Sequence, residues 1–328
     1  YSGSPANSAV YFALLEPQDK IMGLSLNSGG HLTHGHPKIT FSGRYFQSIR
    51  YEVGEDGLLD YERIEKQAEA EKPKIIVVGT TAYPRILDFK RFGQIADKVG
   101  AYLLADIAHI AGLVAAGVHP SPVPYAHLVT TTTHKTLRGP RGAMIMVTKK
   151  GLEKDPKLAE KIDRAVFPGL QGGPHENTIA AMAVALKEAG KESFREYAYQ
   201  VVKNARQLAS ALQKRGFNLV SGGTDNHLLL VDLRNKGVDG KTAAVALEKA
   251  GIVINANAIP NDPNPPYRPS GIRLGTPALT TRGMKEKEME EIAVWIERVI
   301  SAPQKAGLVR KEVEKLTFRF PIYSQKAL

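Results

Sequence analysis

Residues 129–142 read Val129-Thr-Thr-Thr-Thr-His134-Lys135-Thr136-Leu137-Arg138-Gly139-Pro140-Arg141-Gly142. Apolar residues lead into four threonines, β-branched side chains that suit a strand. A polar turn then closes with Gly-Pro-Arg-Gly, a composition that ends regular structure. A lysine at the carboxyl end of such a strand, held in a tight turn, is kept from bulk water. A lysine so placed can have a lowered pKa and act as an amine nucleophile toward a carbonyl. The stretch alone leaves an ordinary surface lysine as the alternative, so its meaning depends on which sheet the strand belongs to.

Working outward, short apolar runs recur at residues 20–24, 74–78, 102–105, 128–131 and 143–147. Each is apolar on both faces and bounded by Gly, Pro or Asp, as buried parallel strands are. Helical patterns cover residues 8–15, 61–70 and 89–99. This alternation predicts an α/β fold, a mostly parallel sheet with helices on both faces. After Gly173 the texture changes. Long helices are expected over 178–189 and 192–215, the second stopped by Gly216. Strands at 218–220, 227–232 and 252–255, a helix over 241–250, a Pro- and Asn-rich loop at 260–269, and helices over 285–300 and 304–316 follow. At about 150 residues per domain, 328 residues suggest roughly two domains. The change of texture places them at 1–188, the larger, and 189–328, a smaller α+β domain.

Composition narrows the function. The chain has no cysteine, which excludes a disulfide scaffold, a thiolate nucleophile and a cysteine zinc site, and agrees with a reducing, cytoplasmic location. Hydrophobic residues make up 43%, too many for a disordered chain. The net charge of +11 permits anionic ligands, but the basic residues are scattered with few aromatics between them, so nucleic acid is not expected. The most apolar stretch, 102–118, holds Asp106, His109 and two glycines and is too broken to span a bilayer. The chain opens on Tyr1 with no signal-peptide pattern. His31, His34 and His36 have spacing that suits a metal, but no carboxylate or cysteine partner stands near them, and a loop is expected instead. Gly240-Lys241-Thr242 resembles the end of a P-loop, but Asn235 stands where its first glycine is required.

Two further stretches carry chemistry. Tyr102-Leu-Leu-Ala-Asp106-Ile-Ala-His109 is a strand ending in a carboxylate, and in a parallel sheet that end faces the ligand crevice. A carboxylate there suits a protonated pyridine nitrogen, as in pyridoxal phosphate; a helix-capping Asp is the alternative. Ser2-Gly3-Ser4-Pro5-Ala6-Asn7 stands directly before a helix, where free N–H groups and the positive dipole end favour a phosphate. Gly169-Leu-Gln-Gly172-Gly173-Pro174 offers bare backbone to another anion or a neighbouring subunit.

With these residues in place, the chain resembles the serine hydroxymethyltransferase family of fold-type I pyridoxal-phosphate enzymes. The matching segments are SGSPAN, GGHLTHG, DIAHIAGLVAAG, TTTTHKTLRGPRG, VFPGLQGGP, SGGTDNHLLLVDL and GIRLGTPALTTRG, running from residue 2 to about 282, with RFPIY near the end. The resemblance implies that Lys135 forms the internal aldimine and that Asp106 pairs with the pyridine nitrogen. It implies that His31 stacks on the ring and that His109 lies near the phenolic oxygen. Gly3 and Ser4 bind the phosphate, aided by Gly172 and Gly173 of a neighbouring subunit; Thr81, where many members have Ser, joins the cofactor contacts. Thr132, His134 and Arg141 position lysine and substrate, and Arg273 forks onto the substrate α-carboxylate. Asn257, Leu26 and Leu32 line the substrate and folate side. The family carries a segment before SGSPAN, with a proton-transfer glutamate and tyrosines, so the chain is expected to be N-terminally incomplete.

The implied activity is transfer of the serine hydroxymethyl carbon to tetrahydrofolate, giving glycine and 5,10-methylenetetrahydrofolate, in a homodimer or tetramer, with no metal and no membrane. Two alternatives stay open: a folate-independent aldolase of β-hydroxy amino acids, and a non-catalytic binding fragment.

Overall fold

The structure, a computed structural model, describes residues 1–323. It divides into two compact units. The first comprises Tyr1–Gly54, Leu59–Thr81 and Ile86–Arg195; the second comprises Glu55–Leu58, Ala82–Arg85 and the described residues from Glu196 onward.

The first unit is built on a six-stranded sheet: β1 (Lys20–Leu24), β2 (Gln47–Tyr51), β3 (Ile75–Gly79), β4 (Tyr102–Asp106), β5 (Leu128–Thr132) and β6 (Ala143–Val147), in the order β2-β1-β3-β4-β5-β6. The run of β-branched residues that makes β3 is fully buried, with Ile75, Ile76, Val77 and Val78 all 0% exposed. Burying each such side chain contributes roughly 1.5–3 kcal/mol, which is why the sheet centre is the most apolar part of the sequence. Gly79 pairs with Asp106 in register. A Cβ at Gly79 would stand 2.3 Å from the Asp106 carbonyl oxygen, so the glycine lets β3 approach the functional end of β4.

The first five strands are parallel. β6 departs from the expected parallel run: it pairs antiparallel with β5, Thr132 opposite Ala143. Thr133 N–H donates to the Gly142 carbonyl (3.1 Å) and Gly139 N–H to the Thr133 carbonyl (2.7 Å), so the His-Lys turn reverses the chain directly. No crossover helix intervenes, and a short connection yields an antiparallel neighbour. β2 was not anticipated, because Gln47-Ser-Ile-Arg-Tyr51 is a half-exposed edge strand without an apolar run.

The connecting helices follow their caps. Asp60 accepts from Glu62 and Arg63 N–H at the start of Tyr61–Glu71, and Asp88 from Arg91 N–H at the start of Phe89–Val99, which stops at left-handed Gly100 (φ 72°). The first helix, Gly3–Leu14, begins earlier than its apolar pattern suggested and takes Ser4 and Pro5 into its first turn. Pro5 is tolerated there because first-turn N–H groups lack intrahelical partners anyway.

The second unit carries an antiparallel sheet of β7 (Asn218–Leu219), β8 (Leu228–Asp232), β9 (Asn255–Asn257) and β10 (Gly271–Gly275), in the order β7-β8-β10-β9. Its core joins Leu229, Val231 and Ile272 from the strands to Leu247, Trp295, Ile296 and Val309 from helices Gly240–Lys249, Glu286–Ser301 and Ala306–Arg319. The strand expected at 252–255 forms later, at β9, because Ile252 and Ile254 pack against that core in the approach to it. Among the described residues, no helix is long and apolar enough to cross a membrane.

Candidate active site

At the carboxyl edge of the parallel strands lies a cavity of about 310 Å³. Open α/β sheets bind ligands at this edge because every parallel strand delivers its following loop there. Five chain segments line it. The start of the first helix gives Ser2, Gly3 and Ser4; the loop after β1 gives His31 and His34; the segment after β3 gives Thr80 and Thr81. The ends of β4 and β5 and their following turns give Asp106, Ala108 and His109, then Thr132, His134, Lys135 and Arg141. The cavity therefore gathers Gly3, Ser4, His31, Thr81, Asp106, His109, Thr132, His134, Lys135 and Arg141 from residues spread over most of the first unit.

Asp106 is the negative pole. Its Oδ2 accepts from Asn7 Nδ2 (2.8 Å) and His34 Nε2 (3.0 Å), and its Oδ1 from Ala108 N–H (3.1 Å). Burial alone would raise its pKa, but the His34 hydrogen bond, the Asn7 amide and the Ala108 N–H outweigh it. They hold the carboxyl well below the usual range. The His31 backbone N–H donates to His34 Nδ1 (3.3 Å), so that nitrogen carries no proton and the His34 proton lies on Nε2, toward Asp106. The histidine spacing that suggested a metal thus places His34 on the carboxylate instead.

Lys135 sits in the turn after β5, its Nζ 3.4 Å from the Thr132 hydroxyl. The Arg138 N–H donates to its carbonyl (2.9 Å), with Arg138 in the left-handed region at φ 57°. Burial pushes the His31 imidazole down to about 4; the neighbouring His34 and Lys135 add to this and Asp106 opposes it. Thr81 fastens the loop that carries His31, donating through N–H to the Gly29 carbonyl (2.7 Å) and through Oγ1 to the Gly30 carbonyl (2.9 Å). Burial, then Lys135 and Arg141, lower the His134 pKa. Its Nδ1 is buried without a hydrogen-bond partner among the described residues. The Thr136 hydroxyl donates to the His109 carbonyl (3.0 Å), pinning the segment after β4 to the lysine turn.

The first helix closes the cavity opposite. A Cβ on Gly3 would lie 2.9 Å from Thr132 Cγ2, so glycine is what lets the first turn meet the end of β5. Ser2 makes no side-chain cap bond, which leaves the early N–H groups open to a ligand.

Six expected residues are not among those that line this cavity. A Cβ on Gly172 or Gly173 would meet nothing within 4 Å. Leu26 is exposed, in the 3-10 turn Leu26–Ser28 that precedes the histidine loop. Asn257 and Arg273 belong to the second unit, on neighbouring strands β9 and β10. Arg273 Nε donates to Asn255 Oδ1 (3.1 Å), and burial lowers the pKa of its guanidinium. Leu32 lies half-buried beside His31 without lining the cavity. Sequence reasoning missed Asn7, Thr33, His34 and Thr130 as a connected set. Asn7 and His34 stood inside quoted motifs, but only the fold brings them to Asp106.

A mostly parallel sheet with a lysine turn after one strand, an aspartate ending its neighbour and a helix N-terminus facing both is the architecture of fold-type I pyridoxal-phosphate enzymes. Residues 1–296 match the family model described as "Serine hydroxymethyltransferase". The chain is 55% identical over 324 residues to the serine hydroxymethyltransferase of Desulfotalea psychrophila, covering 98% of this chain and 74% of that protein. It is likewise 55% identical over 331 residues to that of Acidothermus cellulolyticus, covering 98% and 76%. The chain belongs to the serine hydroxymethyltransferase family.

Proposed function

We propose that the protein interconverts L-serine plus tetrahydrofolate with glycine plus 5,10-methylenetetrahydrofolate and water, using pyridoxal 5'-phosphate. The observation that carries this reading is the meeting of Lys135, Asp106 and the first turn of helix Gly3–Leu14 in one cavity. The residues present fit the cofactor. The Gly3 first turn is an open anion cradle, and His134 keeps a buried, unpartnered ring nitrogen in the cavity wall.

Gly3 and Ser4 would hold the phosphate through helix N–H groups, with Thr81 beside them. Asp106, ionised throughout the neutral range, would keep a proton on the pyridine nitrogen. When bound, the cofactor supplies an electron sink for the pair released as the serine Cα–Cβ bond breaks. Lys135 supplies the amine that takes the cofactor, with the Thr132 hydroxyl at its Nζ. His31, neutral above about pH 4, is suited to lie against a ring face without adding charge, and His109 to reach the phenolic oxygen. Arg273 would fork onto the substrate carboxylate, a geometry guanidinium provides and ammonium does not; Arg141 and His134 would position lysine and substrate. Asn257, Leu26 and Leu32 are assigned to the folate side.

A homo-oligomer completes this reading. Among the described residues, helix Glu176–Ala189 has none buried, and its Ile179 and Val184 are 50% and 60% exposed, an apolar face suited to a second copy. Gly172 and Gly173, with open space around them, are assigned to that copy's phosphate. The cysteine-free composition supports a cytoplasmic location.

The test is to supply the purified protein with pyridoxal phosphate, L-serine and tetrahydrofolate and to follow glycine and methylenetetrahydrofolate. Folate-dependent formation of both is expected. Equal serine cleavage without tetrahydrofolate would transfer the protein to the folate-independent aldolases.

A further inference from the structure

Beneath the cavity floor lies a hydrogen-bonded chain that the proposed reaction does not itself use. Asn7 is 1% exposed and all its amide atoms are engaged. Its Nδ2 donates to Asp106 Oδ2 (2.8 Å) and to Thr33 Oγ1 (2.9 Å), and its Oδ1 accepts from Thr130 Oγ1 (2.7 Å). The chain continues from Thr33. Its backbone N–H donates to His31 Nδ1 (3.2 Å), and its Oγ1 stands 2.7 Å from the same nitrogen.

The direction of each bond follows from the obligatory donors. A backbone N–H only donates, so His31 Nδ1 is an acceptor and carries no proton. The Thr33 hydroxyl, already accepting from the Asn7 amide, then points its own hydrogen at His31 Nδ1. The His31 proton is left on Nε2. Tyr11 fixes the other end of the threonine, its hydroxyl donating to the Thr33 carbonyl (2.8 Å). One amide group therefore settles two things at once: it holds the Asp106 carboxylate in place and, through a single hydroxyl, the tautomer of His31.

We propose that Asn7 is a positioning residue that couples the carboxylate of Asp106 to the ring of His31, fixing His31 as the Nε2–H tautomer through Thr33. The inference rests on the reading above that pyridoxal phosphate binds between these two side chains, and it assigns to Asn7 the setting of both. An ordinary buried asparagine would stabilise the fold without touching either property. Asparagine fits because it offers two donors and one acceptor at a single branch point. Aspartate has the same shape and no donor, and at 2.8 Å from Asp106 it would put two carboxylates against each other.

The experiment uses the whole chain with ¹⁵N-labelled histidine and no cofactor. Two-bond ¹H–¹⁵N correlations near pH 7 report the tautomer of each of the nine histidines, and His31→Gln identifies the His31 signals. The wild type is expected to show a protonated Nε2 and an unprotonated Nδ1. Thr33→Val keeps the branched shape and removes the hydroxyl. It should raise the minor Nδ1–H population of His31 roughly three- to tenfold, the worth of one lost hydrogen bond, and Thr33→Ser should restore the wild-type ratio.

The second readout is binding of pyridoxal 5'-phosphate to the apoprotein by absorbance titration. Asn7→Ala should weaken it about tenfold or more and Asn7→Asp further still, whereas Thr33→Val should leave it within about threefold. The coupling is overturned if Asn7→Ala binds pyridoxal phosphate as the wild type does, or if Thr33→Val leaves the His31 tautomer unchanged. Should Asn7→Ala fail to fold, the Thr33→Val and Thr33→Ser pair still decides the tautomer. Failure of the wild type to bind pyridoxal phosphate is a separate result that removes the proposed function and leaves the tautomer measurement standing.

Discussion

Replacing Asp106 by Asn keeps the shape of the side chain and inverts half of its hydrogen-bonding. The carboxylate accepts three bonds, two on Oδ2 and one on Oδ1. An amide has one accepting oxygen. Turned so that this oxygen keeps Asn7 and His34, its NH₂ confronts the Ala108 N–H; turned the other way, it confronts both Asn7 and His34. The first orientation costs less and leaves one buried donor pair unsatisfied, worth about 1–3 kcal/mol. Urea unfolding of the apoprotein near pH 7 should register that loss. Pyridoxal phosphate binding should fall further, because a charge-assisted bond worth about 1.5–3 kcal/mol is also removed, roughly a 10- to 150-fold loss of affinity. The acid side carries an independent sign. The folded carboxyl lies below its unfolded value of about 3.9. Its contribution is therefore complete above that value and is lost as pH falls through it toward the folded pKa. The stability gap between wild type and Asp106→Asn should accordingly begin to narrow below about pH 5 and go on narrowing as pH falls past the unfolded value toward the folded pKa. An unchanged cofactor affinity, or a gap that stays constant down to pH 3, would refute the electrostatic account of this residue.

Three further outcomes follow from the same geometry. Lys135→Ala should abolish multiple turnover and the borohydride-trapped cofactor adduct; peptide mapping that finds the adduct on another lysine would displace Lys135 from its role. Arg273→Lys keeps the charge but not the fork, and should still lose roughly 2–5 kcal/mol of serine binding, so near-normal serine affinity in a titration would count against the assignment. Burial lowers the His127 pKa to about 4 while its Nδ1 accepts the Leu103 N–H (2.8 Å). Because folded His127 resists the proton that the unfolded chain takes up near 6.5, apoprotein stability should decline as pH falls from about 6.5 to 4. His127→Asn, which keeps the acceptor and removes the titration, should flatten that decline; an identical slope in the variant would exclude His127 as its source.

What was legible in the sequence was whatever rests on local chemistry. The apolar runs of β3, β4 and β5 announce themselves because both faces are buried. The lysine turn, the strand-end Asp106 and the Gly3-Ser4 cradle are readable for a similar reason: each needs particular residue types within a few positions. β2 and β10 were not legible, since the edge strand is half exposed and Gly271-Ile-Arg-Leu-Gly275 is bounded by glycines and interrupted by a charged arginine. The antiparallel sense of β6 depends on how a turn closes, which composition does not reveal. Asn7 and His34 were beyond reach for a different reason. Their importance lies in a partner 99 and 72 residues away, and no local pattern encodes that.

The proton positions explain why so polar a cavity is built so far down. Asp106 keeps its charge because three donors meet it. His34 gives it a proton from Nε2 because a backbone N–H occupies Nδ1, and His31 turns its Nε2 proton away from Thr33 for the same reason. A backbone N–H thus sets the His34 tautomer, and a backbone N–H together with the Thr33 hydroxyl sets that of His31, whether or not a ligand is present. The cavity's charges are then a single anion at Asp106 facing the cations Lys135 and Arg141, with both intervening imidazoles oriented in advance. A ligand carrying a protonated ring nitrogen at one end and an anionic phosphate at the other meets this pattern without reorganising it, the property that makes electrostatic preorganisation effective. Main-chain donors and the buried Asn7–Thr33 pair, more than the conspicuous side chains that face the cavity, set which proton sits where.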